Sequence, residues 1–305
     1  MLKYIVKRLL TAIPVIFIIA SLTFFLMHLA PGGPFDSEKV LPPEIEKNIN
    51  AKFHFDKPLY IQYLYYMKGL LQFDLGPSYK YQNRNVSEII LSSVPVSLEL
   101  GLWAIAFALL MGTLAGIISS NKRNSFFDYI IMAFAMLGIS TPSFVLGPLL
   151  ILIFAIHIKC FPVAGWETIS SMILPALTLS AIYTAYIARL ARGGMLEILS
   201  QNYIKVARAK GLSEKHIMFK HALKGGILPV VSFTGPALAG ILTGSMVVET
   251  IFNIPGLGRY FVQSALNRDY TLVMGTALFY ASLLIIMNLI VDIIYAYLDP
   301  RVRYE

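Results

Sequence analysis

The side chains able to do chemistry are few, and their spacing excludes more than it offers. The five histidines are His28, His54, His157, His216 and His221. None sits with a serine in the middle of an apolar run, as an intramembrane serine protease requires. Cys160 is the single cysteine, so neither an intrachain disulfide nor a cysteine-based metal site can form. The sequence contains no His-Glu-x-x-His and no Gly-x-x-x-x-Gly-Lys-Ser/Thr. It therefore lacks the zinc-binding helix of a metalloprotease and a phosphate loop of its own. No catalytic residue, metal ligand or bound cofactor is expected. The acids inside apolar runs, Glu99 and Asp292, lie near the ends of those runs. An ion-coupled carrier places such acids at mid-membrane, so interfacial or packing charge describes these two as readily as transport does.

The densest polar chemistry is cationic. Eight Lys/Arg fall between Arg189 and Gly226. Within that stretch the run from Gln201 to Lys210 predicts a short helix, and Gly211 stops it, as glycine does just past a helix end. Ser213 can cap a second helix from Glu214 to Leu223. Ala207, Ala209 and Gly211 are small enough to permit close approach by a partner, while Lys205, Arg208 and Lys210 could meet acidic rims. A basic loop resting on anionic lipid headgroups explains the same charges equally well.

The elements that must carry these residues are membrane spans. Of the 305 residues 57% are hydrophobic and 14% charged, against about 45–50% and 25% in soluble domains. The apolar residues come in blocks long enough to cross a bilayer, which takes about 20 residues. Six spans are predicted, at about 9–29, 95–119, 129–157, 172–187, 227–248 and 272–296. The first is too long for a signal-peptide core and no small-x-small site follows it, so it reads as retained. Pro142 and Pro148 interrupt the third, and Gly235 with Pro236 are expected to break the fifth. Gly112-x-x-x-Gly116 and Gly240-x-x-x-Gly244 predict close helix packing.

Between the first two spans lies a polar stretch, 30–93, with seven Lys/Arg and seven acids. Its segment Pro43-Glu44-Ile45-Glu46-Lys47 resembles a helix start, and the aromatic, amphipathic run from Ile61 to Phe73 suits a membrane surface or a small lobe. Net charge is +8; in a membrane chain that excess sets orientation. With the N-terminus inside, the inner segments hold 15 Lys/Arg and the short outer loops only Lys159, Arg259 and Arg268. The rule that inner loops are positive then gives an N-in, C-in topology. The expected organisation is an inner tip and first helix (1–29), an extracytoplasmic lobe (30–93), a five-span core (94–297) with an inner loop at 189–226, and an inner tail (298–305).

The run Ala207-Arg208-Ala209-Lys210-Gly211-Leu212-Ser213 is similar to the loop by which membrane subunits of bacterial ATP-binding-cassette importers dock onto their ATPases. The resemblance extends along the chain, through Leu29-Ala30-Pro31-Gly32, Leu75-Gly76-Pro77-Ser78, Leu174-Pro175-Ala176-Leu177 and Ala188-Arg189-Leu190-Ala191-Arg192. It continues in Val248-Glu249-Thr250-Ile251-Phe252, Pro255-Gly256-Leu257-Gly258, Leu266-Asn267-Arg268-Asp269-Tyr270 and Asp299-Pro300-Arg301. Together these resemble the dipeptide/oligopeptide permease branch, and within it the B-type oligopeptide permeases. The general loop pattern begins Glu-Ala-Ala; here those places read Lys205-Val206-Ala207, and the later Leu-Pro is displaced to Leu228-Pro229.

The resemblance implies an all-α, six-span membrane protein with the type I importer fold, in a bacterial cytoplasmic (inner) membrane. It implies import of oligopeptides delivered by an extracytoplasmic peptide-binding protein, through a path shared with a homologous second permease subunit. Two ATP-binding subunits would carry ATP and Mg, coupled through Lys205, Val206, Ala207, Arg208, Ala209, Lys210, Gly211, Leu212 and Ser213. Glu249, Pro255, Gly256, Leu257, Gly258, Arg268 and Asp269 would form an outer gate or binding-protein contact, although the Pro-Gly-Leu-Gly run also reads as a tight turn without a contact role. Membrane lipid is the remaining expected partner, and nucleic acid is not one. The alternatives are a related subunit for dipeptides, nickel or glutathione, and a self-contained ion-coupled transporter.

Overall fold

Helix follows hydropathy along the chain in the computed structural model, which describes residues 2–29 and 55–298. The Pro43–Lys47 helix start, the Ala30-Pro31-Gly32 turn and Asp299-Pro300-Arg301 lie outside the described residues. The elements are α1 (Leu2–Leu29), α2 (Leu59–Leu71), α3 (Val86–Asn121), α4 (Phe126–Ser140) and α5 (Ser143–Leu150), which runs on into the wider π-helical turn Ile151–His157. Then come α6 (Ile169–Leu199) and α7 (Asn202–Ala209). Three successive pieces form α8: Glu214–His216, the π-helical Ile217–Ala222 and Leu223–Gly226. The last are α9 (Leu228–Gly244), α10 (Met246–Ile251), α11 (Leu257–Leu266) and α12 (Tyr270–Leu298). Among the described residues there is no strand, only an isolated bridge between Pro77 and Asn85.

Among the described residues five helical stretches are long and apolar enough to cross a membrane unbroken, and α4 with α5 pass the same test together as a pair bent by 113°, giving six if the pair is one span. The bend falls where Pro142 was expected to interrupt the third span. Pro142 has no N–H to donate, and it forces Thr141 into an extended conformation (φ −98°, ψ 113°). The fifth span departs from expectation. Pro236 lies inside a continuous α9, and the break comes at Ser245, between α9 and α10. A proline removes one backbone bond, which membrane helices tolerate when neighbours compensate. Several spans are longer than their apolar runs. α3 begins at Val86, and α6 continues to Leu199, so the first part of the basic 189–226 stretch is helix.

The chain divides into two compact units. Of the described residues, one comprises Val96–Pro255 and 286–298; the other comprises 2–29, 55–95 and Gly256–Ile285. In the first, α6 is the central element. Its buried Leu174, Ala176 and Leu179 join Leu100, Ala104 and Ile105 of α3 and Ala237 and Ile241 of α9 in one apolar core. Small residues set the spacing: a Cβ at Gly116 would lie 2.5 Å from Ala191 Cβ, and one at Gly112 2.7 Å from Thr184 O. The Gly112/Gly116 pair is therefore a helix-packing seam within this chain. Of the second pair, Gly240 packs against the Tyr183 hydroxyl while Gly244 faces open space.

In the second unit, Phe24, Tyr270 and Met274 form a core with Met27, Tyr63, Tyr66 and Tyr79. Phe24 stacks on His28 at 4.1 Å, and the Tyr63 hydroxyl bonds Ser21 Oγ at 2.7 Å. Burial pushes the phenol groups of Tyr66 and Tyr79 well above the ordinary tyrosine range, so both stay neutral.

Candidate functional site

The inner loop takes the form its sequence predicts, with one inversion. α7 ends at Ala209 with Lys210 as its cap, and Gly211 adopts φ +79°, the left-handed conformation that glycine enters without a Cβ penalty. Ser213 then caps α8 by accepting the His216 N–H at 3.4 Å. The inversion concerns Ala207, expected to face a partner. It is buried with Ile204 against Ile217 of α8. The periodicity explains this: Ile204 and Ala207, three apart, share the inner face of α7. The outer face carries the apolar side chains of Tyr203 and Val206, with Leu212 beyond the turn and Phe219 on α8. Lys205, Arg208, Ala209, Lys210, Gly211 and Ser213 are exposed as well.

Arg208 is committed within the chain. Its Nε and Nη2 donate to the two carboxylate oxygens of Glu214 at 2.7 and 3.2 Å, closing a clasp across the Gly211 turn. These bonds hold the Glu214 carboxyl below the usual carboxylate range and push Arg208 higher still. Beside the clasp, a groove of about 400 Å³ is lined by Arg123, Leu196, Ser200, Arg208, Glu214 and Met218, among others. The loop thus presents apolar side chains beside a polar groove.

Deeper on the same side is an ion pair that sequence reasoning missed. Arg192 donates from Nε and Nη2 to the two oxygens of Asp128 at 2.8 and 2.7 Å. Asp128 also accepts the Ser119 hydroxyl and the Asn124 N–H, the latter at 2.9 Å. The only signal available was Arg192 within the Ala188–Arg192 run, since Asp128 counted merely as one inner-loop acid.

The outer residues divide between the two units. In the first, Glu249 is fully buried and accepts from Ser245 Oγ at 2.6 Å, while Pro255 is exposed. In the second, Gly256, Leu257 and Gly258 are buried at the start of α11, and Arg268 is half-buried at φ +57°. Asp269 is fully buried; it accepts the Ser78 hydroxyl and N–H groups of Tyr79, Lys80 and Leu272 at 3.2 to 3.3 Å. The two carboxylates serve the fold from inside, and Thr250, Asn253, Pro255, Ala265, Leu266 and Asn267 form the exposed part of the segment. Glu99, whose role the sequence left open, accepts the Trp166 indole N–H at 3.2 Å. Among the described residues no group of three or more metal-ligating side chains gathers.

The family described as "Binding-protein-dependent transport system inner membrane component" matches residues 83–304, and its N-terminal companion matches 1–101. The oligopeptide transport system permease protein OppB of Haemophilus influenzae is 50% identical over 306 aligned residues, covering all of both chains. OppB of Salmonella typhimurium is 49% identical with the same coverage. The dipeptide transport system permease protein DppB of Bacillus subtilis is 45% identical, covering 99% of this chain and 98% of its own. Among solved structures, the MetNI methionine ABC transporter in inward-facing conformations shares the fold at TM-score 0.53 and 18% identity, over 68% of this chain and 96% of that one. An amino acid ABC transporter with histidines matches with the same TM-score and identity, over 68% and 93%.

Proposed function

The chain belongs to the family of binding-protein-dependent transport system inner membrane components, and on that premise we propose that it forms half of the membrane path of an ATP-driven oligopeptide importer. It is a multi-pass protein of the bacterial inner membrane with the fold of an ABC importer subunit. Full-length identity of 50% to an oligopeptide permease carries the substrate class. Dipeptides are the second reading, favoured by the 45% match to a dipeptide permease.

In this reading a homologous second subunit completes the path and an extracytoplasmic binding protein delivers the peptide. ATP and Mg bind on two partner ATPases. The inner loop 189–226 is the contact with them. Its Gly211 turn and Arg208–Glu214 clasp hold α7 and α8 as one rigid piece, and exposed Tyr203, Val206, Lys205, Lys210 and Leu212 face the partner. Ala207 supports that face from beneath, and Ala209 and Ser213 lie beside it. The outer lobe, 30–93, and the rim around Pro255 and Arg268 meet the binding protein, with Glu249 and Asp269 shaping that rim from inside. The core, 94–297, carries the path, and both termini lie inside.

The test is reconstitution of the chain with its genetic neighbours in liposomes loaded with ATP and Mg. Peptide uptake should require both ATP and the binding protein and should survive collapse of the proton gradient. Uptake that follows the gradient and ignores ATP would overturn the importer reading. Competition on the binding protein between dipeptides and longer peptides separates the two substrate classes.

A further inference from the structure

Asp128 and Arg192 join three elements at the inner end of the larger unit. Asp128 stands in the first turn of α4, where its own N–H reaches the capping Ser125 Oγ at 3.3 Å. Ser119, which donates to it, is near the end of α3, and Asn124 belongs to the turn between α3 and α4. Arg192 is on α6. Asp128 is buried, 2% exposed, while the Arg192 side chain that reaches it keeps 27% of its surface open. A planar guanidinium bonded to both oxygens fixes direction as well as distance. The surroundings leave little play: a Cβ at Gly116 would lie 2.8 Å from the backbone nitrogen of Arg192 itself. One turn further along α6, Met195 packs with Ile117 of α3 and with Met218 and Ala222 of α8.

A contiguous series of contacts therefore runs from the second helix of the inner loop, through Met195, to Arg192 and Asp128, and so into the bent α4–α5 span. We infer that Asp128 and Arg192 are positioning residues that lock α6 to the start of α4, so that displacement of α8 moves the bent span instead of being absorbed as slip between helices. This rests on the importer reading, and adds to it a named joint between the ATP-driven loop and the membrane path. A two-point ion pair on a buried carboxylate suits such a joint. Its stabilising contribution is weak when set against an apolar pair of similar volume, whereas its geometry is strict.

That contrast supplies the test. In the reconstituted complex, Asp128→Leu combined with Arg192→Met replaces the pair by apolar side chains of similar size, and binding-protein-stimulated ATPase is measured beside peptide import. The complex should assemble in normal yield and keep hydrolysing ATP, with ATP consumed per peptide imported rising about two- to thirty-fold, the span of measured coupling effects. A purely structural role would lower complex yield and import together and leave that ratio unchanged; an unchanged ratio overturns the inference. Arg192→Lys keeps the charge but not the fork, and it decides the matter by the same ratio if the double variant does not assemble. Failure of the importer reading looks different, because the unaltered complex would then import without needing ATP.

Discussion

Asp269 accepts the hydroxyl of Ser78 from 191 positions away in the chain. The same carboxylate takes the N–H groups of Tyr79 and Lys80 and, at the start of α12, that of Leu272. One buried acid thus ends the Leu75–Ser78 turn and caps a membrane helix. An amide in its place keeps one acceptor oxygen and turns a donor group toward N–H groups. Each charge-assisted bond contributes about 1.5–3 kcal/mol, so Asp269→Asn should destabilise the second unit by at most the two bonds, from Ser78 and Lys80, that the replaced oxygen accepts. Limited proteolysis from the outer side should then cleave 55–85 faster than in the parent. Ser78→Ala removes a single donor and should be the milder change.

Gly211 separates two effects that one substitution would confuse. Its φ of +79° strains an L residue, yet a Cβ there meets nothing within 4 Å among the described residues. Gly211→Ala tests the backbone alone and should cost about 1 kcal/mol or more. Asn tolerates the left-handed conformation better, so Gly211→Asn adds bulk with less strain. If the turn lies against an ATPase, Asn and Asp should both leave the chain in the membrane and cut binding-protein-stimulated ATPase, with Asp cutting more. Retained stimulation in both variants would favour a loop that rests on lipid.

The clasp between Arg208 and Glu214 should matter for shape more than for stability. Both side chains are largely exposed, and exposed ion pairs contribute about 0–1 kcal/mol. The folded Glu214 carboxyl is held below its ordinary value of about 4.3. Its contribution is therefore present above that value and is lost only as pH falls through the lower, folded one. Melting curves of the parent and Glu214→Gln should differ by the same small amount at pH 6, 7 and 8. A difference that grows between pH 6 and 8 would mean that another group titrates there.

Gly116 is a packing position, and the prediction follows from space. Ala191 Cβ, Ala188 O and Arg192 N all stand 2.5 to 2.8 Å from where its Cβ would be, and two of them are backbone. Overpacking of this kind costs about 1–3 kcal/mol even when neighbours shift. Gly116→Ala should lower the amount of folded chain recovered in mild detergent. Gly193→Ala, in the same unit but facing open space, should not. Equal recovery of the two would contradict the tight α3–α6 seam.

Hydropathy made most of this fold legible. Span positions follow from apolar runs, and the inner turn follows from Gly211 and Ser213. What hydropathy could not supply is where helices continue beyond the membrane. α6 runs to Leu199 and α3 starts at Val86 because helix persists through polar residues once packing holds it. Proline was informative at Pro142 and misleading at Pro236, since nothing local says whether a helix will bend around one or accommodate it. The small size of Ala207 suggested close approach by a partner, while the three-residue step from Ile204 turns it toward Ile217 within the chain. Asp128 and Arg192, 64 positions apart, could not be paired before α4 and α6 were placed side by side.

Cys160 offers a check on orientation that needs no engineered residue. It follows the bent span, is exposed, and is the chain's single cysteine. With the N-terminus inside, one unbroken span, a second span and the bent pair bring this position to the outer side. A membrane-impermeant maleimide added to intact spheroplasts should therefore label the chain at this residue, and Cys160→Ser should abolish the signal. Permeabilising the membrane should add little. Labelling that appears only after permeabilisation would place Cys160 inside. It would also reverse the topology drawn from the 15 inner Lys/Arg and put the α7–α8 loop on the wrong side for any ATPase.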